Sequence, residues 1–460
     1  MSSGRSAVVA GGGISGLSAA YYLTRAGIPV TLFEKEPRLG GVMQTASVEG
    51  CTLELGPDSF LAAKPWALEL IRDLGLAADV IASNDHLRKS YILRRGRLVP
   101  LPDGLMMVVP TKVLPLLASP LLGWGTKIRM GLEWFRRPRP MPADRSVAEF
   151  LRDHYGQESV DYLGEPLLSG VYGGDPAELS VASVLPRFAE MEAKYGSLTR
   201  GVLAAHRNAA HGKGPRSGAP LFQSLKGGLA AMADAIVRAA GERLTVIRGA
   251  VEALERAGDG WRVRVDGEWR PTGHLVLACR AYQSAELLRP IAPELAELLS
   301  AIPYTSSMTL ALGYRRADVK HPLNGFGFLV PKAERGLLLG CTWVGTKFPH
   351  RVPDDKAVLR CFMTGDSLDR SDDEVVATAR AEIRRIMGVD AEPIFGKIAR
   401  WPRSMAQYTV RHGPRVERIE ALAAGLPGLH LAGSAYHGIG VPDCVRSGKR
   451  AAERIMAATI

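Results

Sequence analysis

The chain has 460 residues, long enough for two or three domains that each bury a core. Hydrophobic residues make up 46% and charged residues 23%, a globular balance that excludes wholesale disorder. The formal charge of +11 favours anionic partners without choosing among nucleic acid, anionic lipid and an acidic small molecule.

From the N-terminus, Ser6 to Ala10 predicts a buried strand, Ile14 to Ala26 an apolar helix stopped by Gly27, and Val30 to Glu34 a second strand. This is a βαβ opening, not a signal peptide. From Leu98 to Trp134 the chain is rich in Leu and Met and broken by prolines. It contains no unbroken run of the ~18 apolar residues that a bilayer span needs. Arg136 to Pro142 reads as a loop. Ser146, with Glu149 three residues on, reads as a capping box opening a helical stretch that lasts to about Ala210. His211 to Pro220 is a flexible break. A helix then follows Gly227 and Gly228, and Leu244 to Trp269 alternates as strands around a tight turn at Gly258 to Gly260. His274 to Cys279 is another buried strand, and residues 300 to 400 mix strands and helices. From Gly428 the chain reads strand, glycine-rich loop, helix. There is no internal repeat.

The five cysteines, Cys51, Cys279, Cys341, Cys361 and Cys444, are sparse and far apart, so no metal is expected and a reducing, cytoplasmic compartment is. Nucleic acid is not an expected partner, because no basic stripe is interleaved with aromatic residues.

Gly11-x-Gly13-x-x-Gly16 lies between the first strand and helix. In this pattern the first glycine allows a tight turn and the second lets backbone approach a pyrophosphate. The third lets helix and sheet pack closely, and the helix N-terminus favours the anion. Glu34 ends the next strand, about 20 residues on, where an acidic side chain can bond ribose hydroxyls. These residues predict a bound dinucleotide.

The continuation Arg38-Leu39-Gly40-Gly41 resembles the FAD-binding amine oxidase and phytoene desaturase superfamily, as does the C-terminal "LHLAGSAYHGIGVPDCVRSG". A longer series narrows the resemblance. "LELGPDSFL", "YILRRGRLVPLPDG", "LLSGVYGGDPAELSVASVLPRF", "SLKGGLAAMADAI", "NGFGFLVP", "RWPRSMAQY" and "GSAYHGIGVPDC" occur in this order along nearly the whole chain. Together they look like the family of protoporphyrinogen oxidase and oxygen-dependent coproporphyrinogen III oxidase.

That resemblance implies an α/β fold. A discontinuous Rossmann-like FAD-binding domain would comprise residues 1–85, 224–285 and 400–460. A mixed α+β substrate domain would span 286–399, and a mostly helical insertion 91–210. The implied activity is a six-electron oxidation of a porphyrinogen in haem biosynthesis. Oxygen would reoxidise the flavin to give hydrogen peroxide, and product would pass to the next enzyme of the pathway. Oligomeric state stays open. The flavin carries the hard chemistry, so no catalytic side chain is implied.

The resemblance also assigns residues. For FAD it implies Gly11, Gly13, Ile14, Ser15, Gly16, Glu34, Lys35, Arg38, Gly40 and Gly41, with Gly56, Pro57 and Ser59 lining the flavin. It further implies Val251, in the strand after "LTVIRG", at the adenine, and Trp401, Gly433, Gly438, Ile439 and Val441 around the ring. Gly170 and Phe326 would face substrate. Relatives carry a basic residue where this chain has Ser90, leaving Arg88 and Lys89 as substitutes toward a propionate, with Arg280 a further candidate. Asp58, Arg280 and Ala406 also depart from the usual family residues.

Plainer readings stand beside these. Phe326 can be core, His437 a structural loop histidine and Cys444 a packing residue. Lys127, Arg129, Arg136, Arg137 and Arg139 read as a solvated face, or as one lying against anionic headgroups at the inner face of the cytoplasmic membrane. A flavin amine oxidase or carotenoid desaturase is the rival enzyme, and a tetrapyrrole- or flavin-binding carrier the rival of another class.

Overall fold

Five short apolar strands form a wholly parallel sheet in the order Leu244–Arg248, Val30–Glu34, Ala7–Ala10, His274–Leu277, Leu429–Leu431. The computed structural model describes residues 6–138, 144–208 and 220–459. Arg139, most of the expected loop from Arg136 to Pro142, and all of the expected break before Pro220 lie outside them. The strand Ala7–Ala10 is buried at every position, as expected of a parallel sheet covered on both faces. One face is covered by helices Ile14–Arg25, Ala231–Ala240 and Val441–Thr459, whose Leu17, Leu23, Ile236, Val445 and Ile455 share one core with Val9 and Leu32. N-terminal, middle and C-terminal segments thus build one Rossmann-like unit. An antiparallel meander, Ala253–Ala257, Gly260–Val265 and Glu268–Thr272, follows the sheet's edge strand. Its Trp261 is fully buried and donates its indole N–H to Pro427 O (2.9 Å).

The second sheet has seven strands, in the order Phe395–Ala406, Tyr304–Arg315, Lys356–Met363, Leu338–Trp343, Gly327–Leu329, Ser90–Arg94, Arg97–Pro100. Two expectations are corrected here. Residues 91–100, read as the start of a helical insertion, are instead edge strands of this mixed sheet. Their turn at Arg95 and Gly96 has φ of 50° and 73°, the paired positive values of a tight hairpin. The long strand Phe395–Ala406 also crosses the boundary drawn at residue 400.

Within the insertion, α-helices begin only at Val113. The capping box stands as read: Ser146 Oγ accepts from Glu149 N–H, and Glu149 Oε2 accepts from Ser146 N–H (2.9 Å) at the start of Val147–Tyr155. Beneath this helix lies a buried polar knot. His154 Nδ1 is 3.0 Å from Glu133 and its Nε2 3.2 Å from Glu192, so each ring nitrogen faces a carboxylate. Glu192 also accepts from Arg145 (2.6 Å), and Asp153 from Arg136 (2.5 Å) and Arg145 (3.3 Å). Asp153, His154 and Glu192 have metal-like proximity, but two arginines already occupy these carboxylates. Burial alone would raise the Glu133 carboxyl. His154, the Leu198 N–H and the Ser197 hydroxyl hold it below the ordinary carboxylate range.

The insertion also carries a bare apolar ridge. Val113, Leu114, Trp124, Ile128, Leu132 and Phe135 are exposed, Leu114 by 79% and Phe135 by 76%. Lys127 is no part of a solvated face. It is buried and donates to Leu117 O and Ser119 O (2.8 Å each), the carbonyls left open where helix Val113–Ala118 ends. Among the described residues no helix is long and apolar enough to cross a membrane.

Candidate cofactor and substrate site

The glycine loop sits at the carboxyl end of the parallel sheet, where ligands bind in such folds. Gly11 has φ +110°, and a Cβ there would press on the Ala278 carbonyl at 2.9 Å. A Cβ on Gly16 would overlap the Gly11 carbonyl oxygen, so only glycine lets this helix approach its strand. Gly13 differs: a Cβ there would meet nothing within 4 Å. That space lies at the N-cap of helix Ile14–Arg25, which has no side-chain cap and no acidic residue in its first turn. The cradle is open and favours an anion.

Glu34 has a structural role that the sequence did not assign to it. Its Oε2 accepts from Gly12 N–H (2.6 Å) and its Oε1 from Glu36 N–H (2.9 Å), so it braces the loop. Lys35 is exposed on the same turn. Val251 is not in a strand. It lies in the connector after Leu244–Arg248, half-buried, because the chain turns at Gly249, whose N–H donates to Glu34 O (3.0 Å).

From Gly13 the cradle continues along the chain's own surfaces. Gly41 would bring a Cβ within 3.1 Å of Gly13 Cα, and the next residue's carbonyl, Val42 O, touches Gly56 so closely that no side chain fits there. Gly40 and Gly41 both have positive φ. Arg38 lies over Trp401, 5.9 Å from its ring centre, and Trp401 donates its indole N–H to Leu55 O (2.8 Å). The structure thus brings Gly13, Gly41, Gly56 and Trp401 onto one path.

The turn Gly56-Pro57-Asp58-Ser59 is held from behind by charges of the mixed sheet. Arg360 donates to Gly56 O, Arg351 to Asp58 O (3.1 Å), and Lys347 to Asp58 Oδ2 (2.8 Å) and Ser59 Oγ (3.3 Å). Arg351 also pairs with Glu54 (2.9 Å), both side chains being 1% exposed. Burial pushes Glu54 up. Burial would also raise Asp58, yet Lys347 and Arg360 hold it well below the usual carboxylate range. These partners lie some 290 residues from the turn, and nothing local announces them.

The C-terminal loop closes the far end. Gly433 donates to Ser447 Oγ (3.0 Å) and Gly438 to Tyr408 OH (2.7 Å), while Ile439 and Val441 lead into the last helix. A Cβ on Gly438 would overlap Asp443, which pairs with Lys64 at 2.5 Å. Tyr172 belongs to this neighbourhood too; burial, then Asp443, pushes its hydroxyl to about 12. His437 points away and bonds Glu420 (2.9 Å), as the structural reading expects. Cys444 is buried, and its thiol is pushed up to about 12 by that burial, which fits packing rather than reactivity.

Of the residues that the resemblance assigns to substrate, Gly170 lies exposed on helix Glu165–Tyr172, and a Cβ there would come within 3.1 Å of Leu329 Cδ2. Ser15 and Ile14, by contrast, are buried under the cradle. Phe326 is buried and donates its N–H to Lys89 O (2.7 Å). Gly170, Phe326 and Lys89 therefore gather around one short strand, Gly327–Leu329, with exposed Arg88 next to Lys89. Arg280 stands elsewhere, its guanidinium on Pro402 O and Tyr282 OH (2.8 Å each).

The pattern of the flavin-containing amine oxidoreductase family matches residues 14–456. Coproporphyrinogen III oxidase of Bacillus subtilis (strain 168) is 33% identical over 460 residues, covering 96% of this chain and 96% of the relative. Coproporphyrinogen III oxidase of Propionibacterium freudenreichii subsp. freudenreichii is 35% identical, covering 98% and 91%. A crystal structure from Exiguobacterium sp. 255-15, provisionally described as a protoporphyrinogen oxidase, is 32% identical, covers each chain completely and aligns with a TM-score of 0.87.

Proposed function

The chain belongs to the flavin-containing amine oxidoreductase family, and from that premise we propose that it is an FAD-dependent porphyrinogen oxidase of haem biosynthesis whose substrate is coproporphyrinogen III. The observation that carries this reading is the reach of the likeness. It extends through the helical insertion and the mixed sheet, and is not confined to the nucleotide domain that many oxidoreductases share.

The cofactor is FAD, and the open cradle at Gly13, the uncapped helix beside it and the path through Gly41 to Gly56 suit its diphosphate and flavin ends. When bound, FAD supplies two-electron oxidation, three rounds of which take a porphyrinogen to a porphyrin, with oxygen as the proposed final acceptor. The chain's own work is positional. Glu34 braces the phosphate loop, and the Gly56–Ser59 turn and Trp401 shape the ring site. Gly170, exposed and without a side chain, leaves a flat stretch of helix surface packed beside Leu329 on which a macrocycle can lie, Phe326 is buried behind, and Arg88 and Lys89 place positive charge at the exposed rim, where a propionate would lie. Four propionates, against two in protoporphyrinogen, favour the coproporphyrinogen reading on a basic chain.

The exposed ridge from Val113 to Phe135 supports a second element of the proposal, peripheral contact with anionic lipid. Apolar side chains would enter the interface while Lys112 and Arg129 meet headgroups.

The test of activity is porphyrin fluorescence after adding the protein, in air, to freshly reduced coproporphyrinogen III or protoporphyrinogen IX, with an enzyme-free control. Faster gain from coproporphyrinogen supports the proposal. Preference for protoporphyrinogen would refute the substrate, and no gain with either would refute the activity.

A further inference from the structure

We propose that Arg360, together with Lys347 and Arg351, sets the reduction potential of the bound flavin by placing a surplus of buried positive charge directly behind the Gly56–Ser59 turn. This rests on the assignment of that turn to the flavin.

Among the described residues the cluster has five charged members. Its cations are Lys347, Arg351 and Arg360, 9%, 2% and 4% exposed, and its anions are Glu54 and Asp58. Three positive charges thus meet two negative ones inside the protein. Arg351 Nε and Arg360 Nε are buried without a hydrogen-bond partner, and the remaining guanidinium nitrogens reach neutral acceptors, Gly56 O, Asp58 O, Ser224 Oγ and Leu225 O, besides the two carboxylates, so no third anion answers the surplus. Burying an ion costs several kcal/mol, and holding the turn in place would be served as well by balanced pairs. The third cation is therefore the feature to explain.

Its position offers the explanation. Arg360 donates to the carbonyl of Gly56 itself, the residue that abuts Val42 on the path from the phosphate cradle. Lys347 reaches Ser59 Oγ on the same turn. Two-electron reduction of a bound flavin builds negative charge on the ring. A fixed cation in a water-poor surrounding stabilises that charge more than it could in solvent. The surplus thus favours reduction, which an enzyme that must accept electrons in three successive rounds requires.

The experiment measures the two-electron midpoint potential of the FAD-loaded protein and two variants of opposite sign, R360Q and D58N. R360Q removes one positive charge and D58N one negative charge from the same cluster. The expected result is a fall for R360Q and a rise for D58N, each at least tenfold in the reduction equilibrium, about 30 mV for a two-electron couple. K347Q, at the cluster's less buried edge, is expected to fall as R360Q does and replaces it if R360Q does not fold. A cluster that only holds the turn in shape would shift both kinds of variant in the same direction. That outcome, or unchanged potentials in stoichiometrically loaded variants, overturns this inference while leaving the flavin site standing. A wild-type chain that takes up no FAD overturns both.

Discussion

Two glycines three residues apart in one motif are predicted to fail in opposite ways when given the same methyl group. Gly13 lies at the N-cap with φ −70° and ψ 173°, extended backbone open to any residue, and its added Cβ meets nothing. Gly13→Ala should therefore cost the apoprotein only the loss of a tolerated N-cap residue, about 0.5–1 kcal/mol. The methyl instead fills the space a diphosphate needs. Displacing the anion from one or two charge-assisted backbone hydrogen bonds, at about 1.5–3 kcal/mol each, weakens FAD binding by roughly tenfold to ten-thousandfold. Gly16→Ala puts its methyl onto the Gly11 carbonyl inside the fold. Overpacking against backbone costs about 1–3 kcal/mol or more whether or not FAD is present. Thermal unfolding of the apoproteins and FAD titration by fluorescence separate the two. The reasoning is refuted if Gly13→Ala binds FAD like the wild type, or if its apoprotein melts as low as that of Gly16→Ala.

Four further outcomes follow from the geometry. Glu133, Asp153 and Glu192 are held below their ordinary range, so their stabilisation is present above it and lost as pH falls through the folded values; far-ultraviolet circular dichroism should show helix loss beginning below about pH 4.5. His154→Leu leaves Glu133 and Glu192 without their shared partner, at about 3–5 kcal/mol, and should be stabilised, not destabilised, on acidification from pH 7 to 5. Replacing Leu114 and Phe135 by Asp should abolish sedimentation with anionic vesicles while leaving porphyrinogen turnover in solution unchanged; equal sedimentation would remove the membrane proposal. Replacing Arg88 and Lys89 by Ala should raise KM for coproporphyrinogen about two- to fivefold with kcat little changed, the size of exposed ion pairs, and an unchanged KM would dismiss them as propionate partners.

What could be read from the sequence was local. The glycine loop, Glu34, the capping box at Ser146 and the strand–loop–helix at the C-terminus are each encoded within about 25 residues, and each is found where expected. Glu34 ends its strand as read, but its bracing of Gly12 is not legible in the sequence, because a hydrogen bond to backbone leaves no mark on residue type. The features that were misread depend on distant partners. Ser90–Arg94 becomes a sheet strand because Gly327–Leu329 pairs with it, whereas the resemblance put the chain from residue 91 in a helical insertion. Lys127 resembled surface charge, yet helix-end carbonyls draw it inward. Arg351 and Glu54 meet across 297 residues, a pairing that no spacing rule can supply.

The central claim is that FAD held in this cradle takes electrons from a porphyrinogen. The most direct measurement is anaerobic mixing of the FAD-loaded protein with coproporphyrinogen III, following flavin absorbance and porphyrin fluorescence together. Loss of the flavin's visible band with rising porphyrin emission, and return of the band on admitting oxygen, is the predicted result. A flavin that stays oxidised in the presence of porphyrinogen would contradict the account.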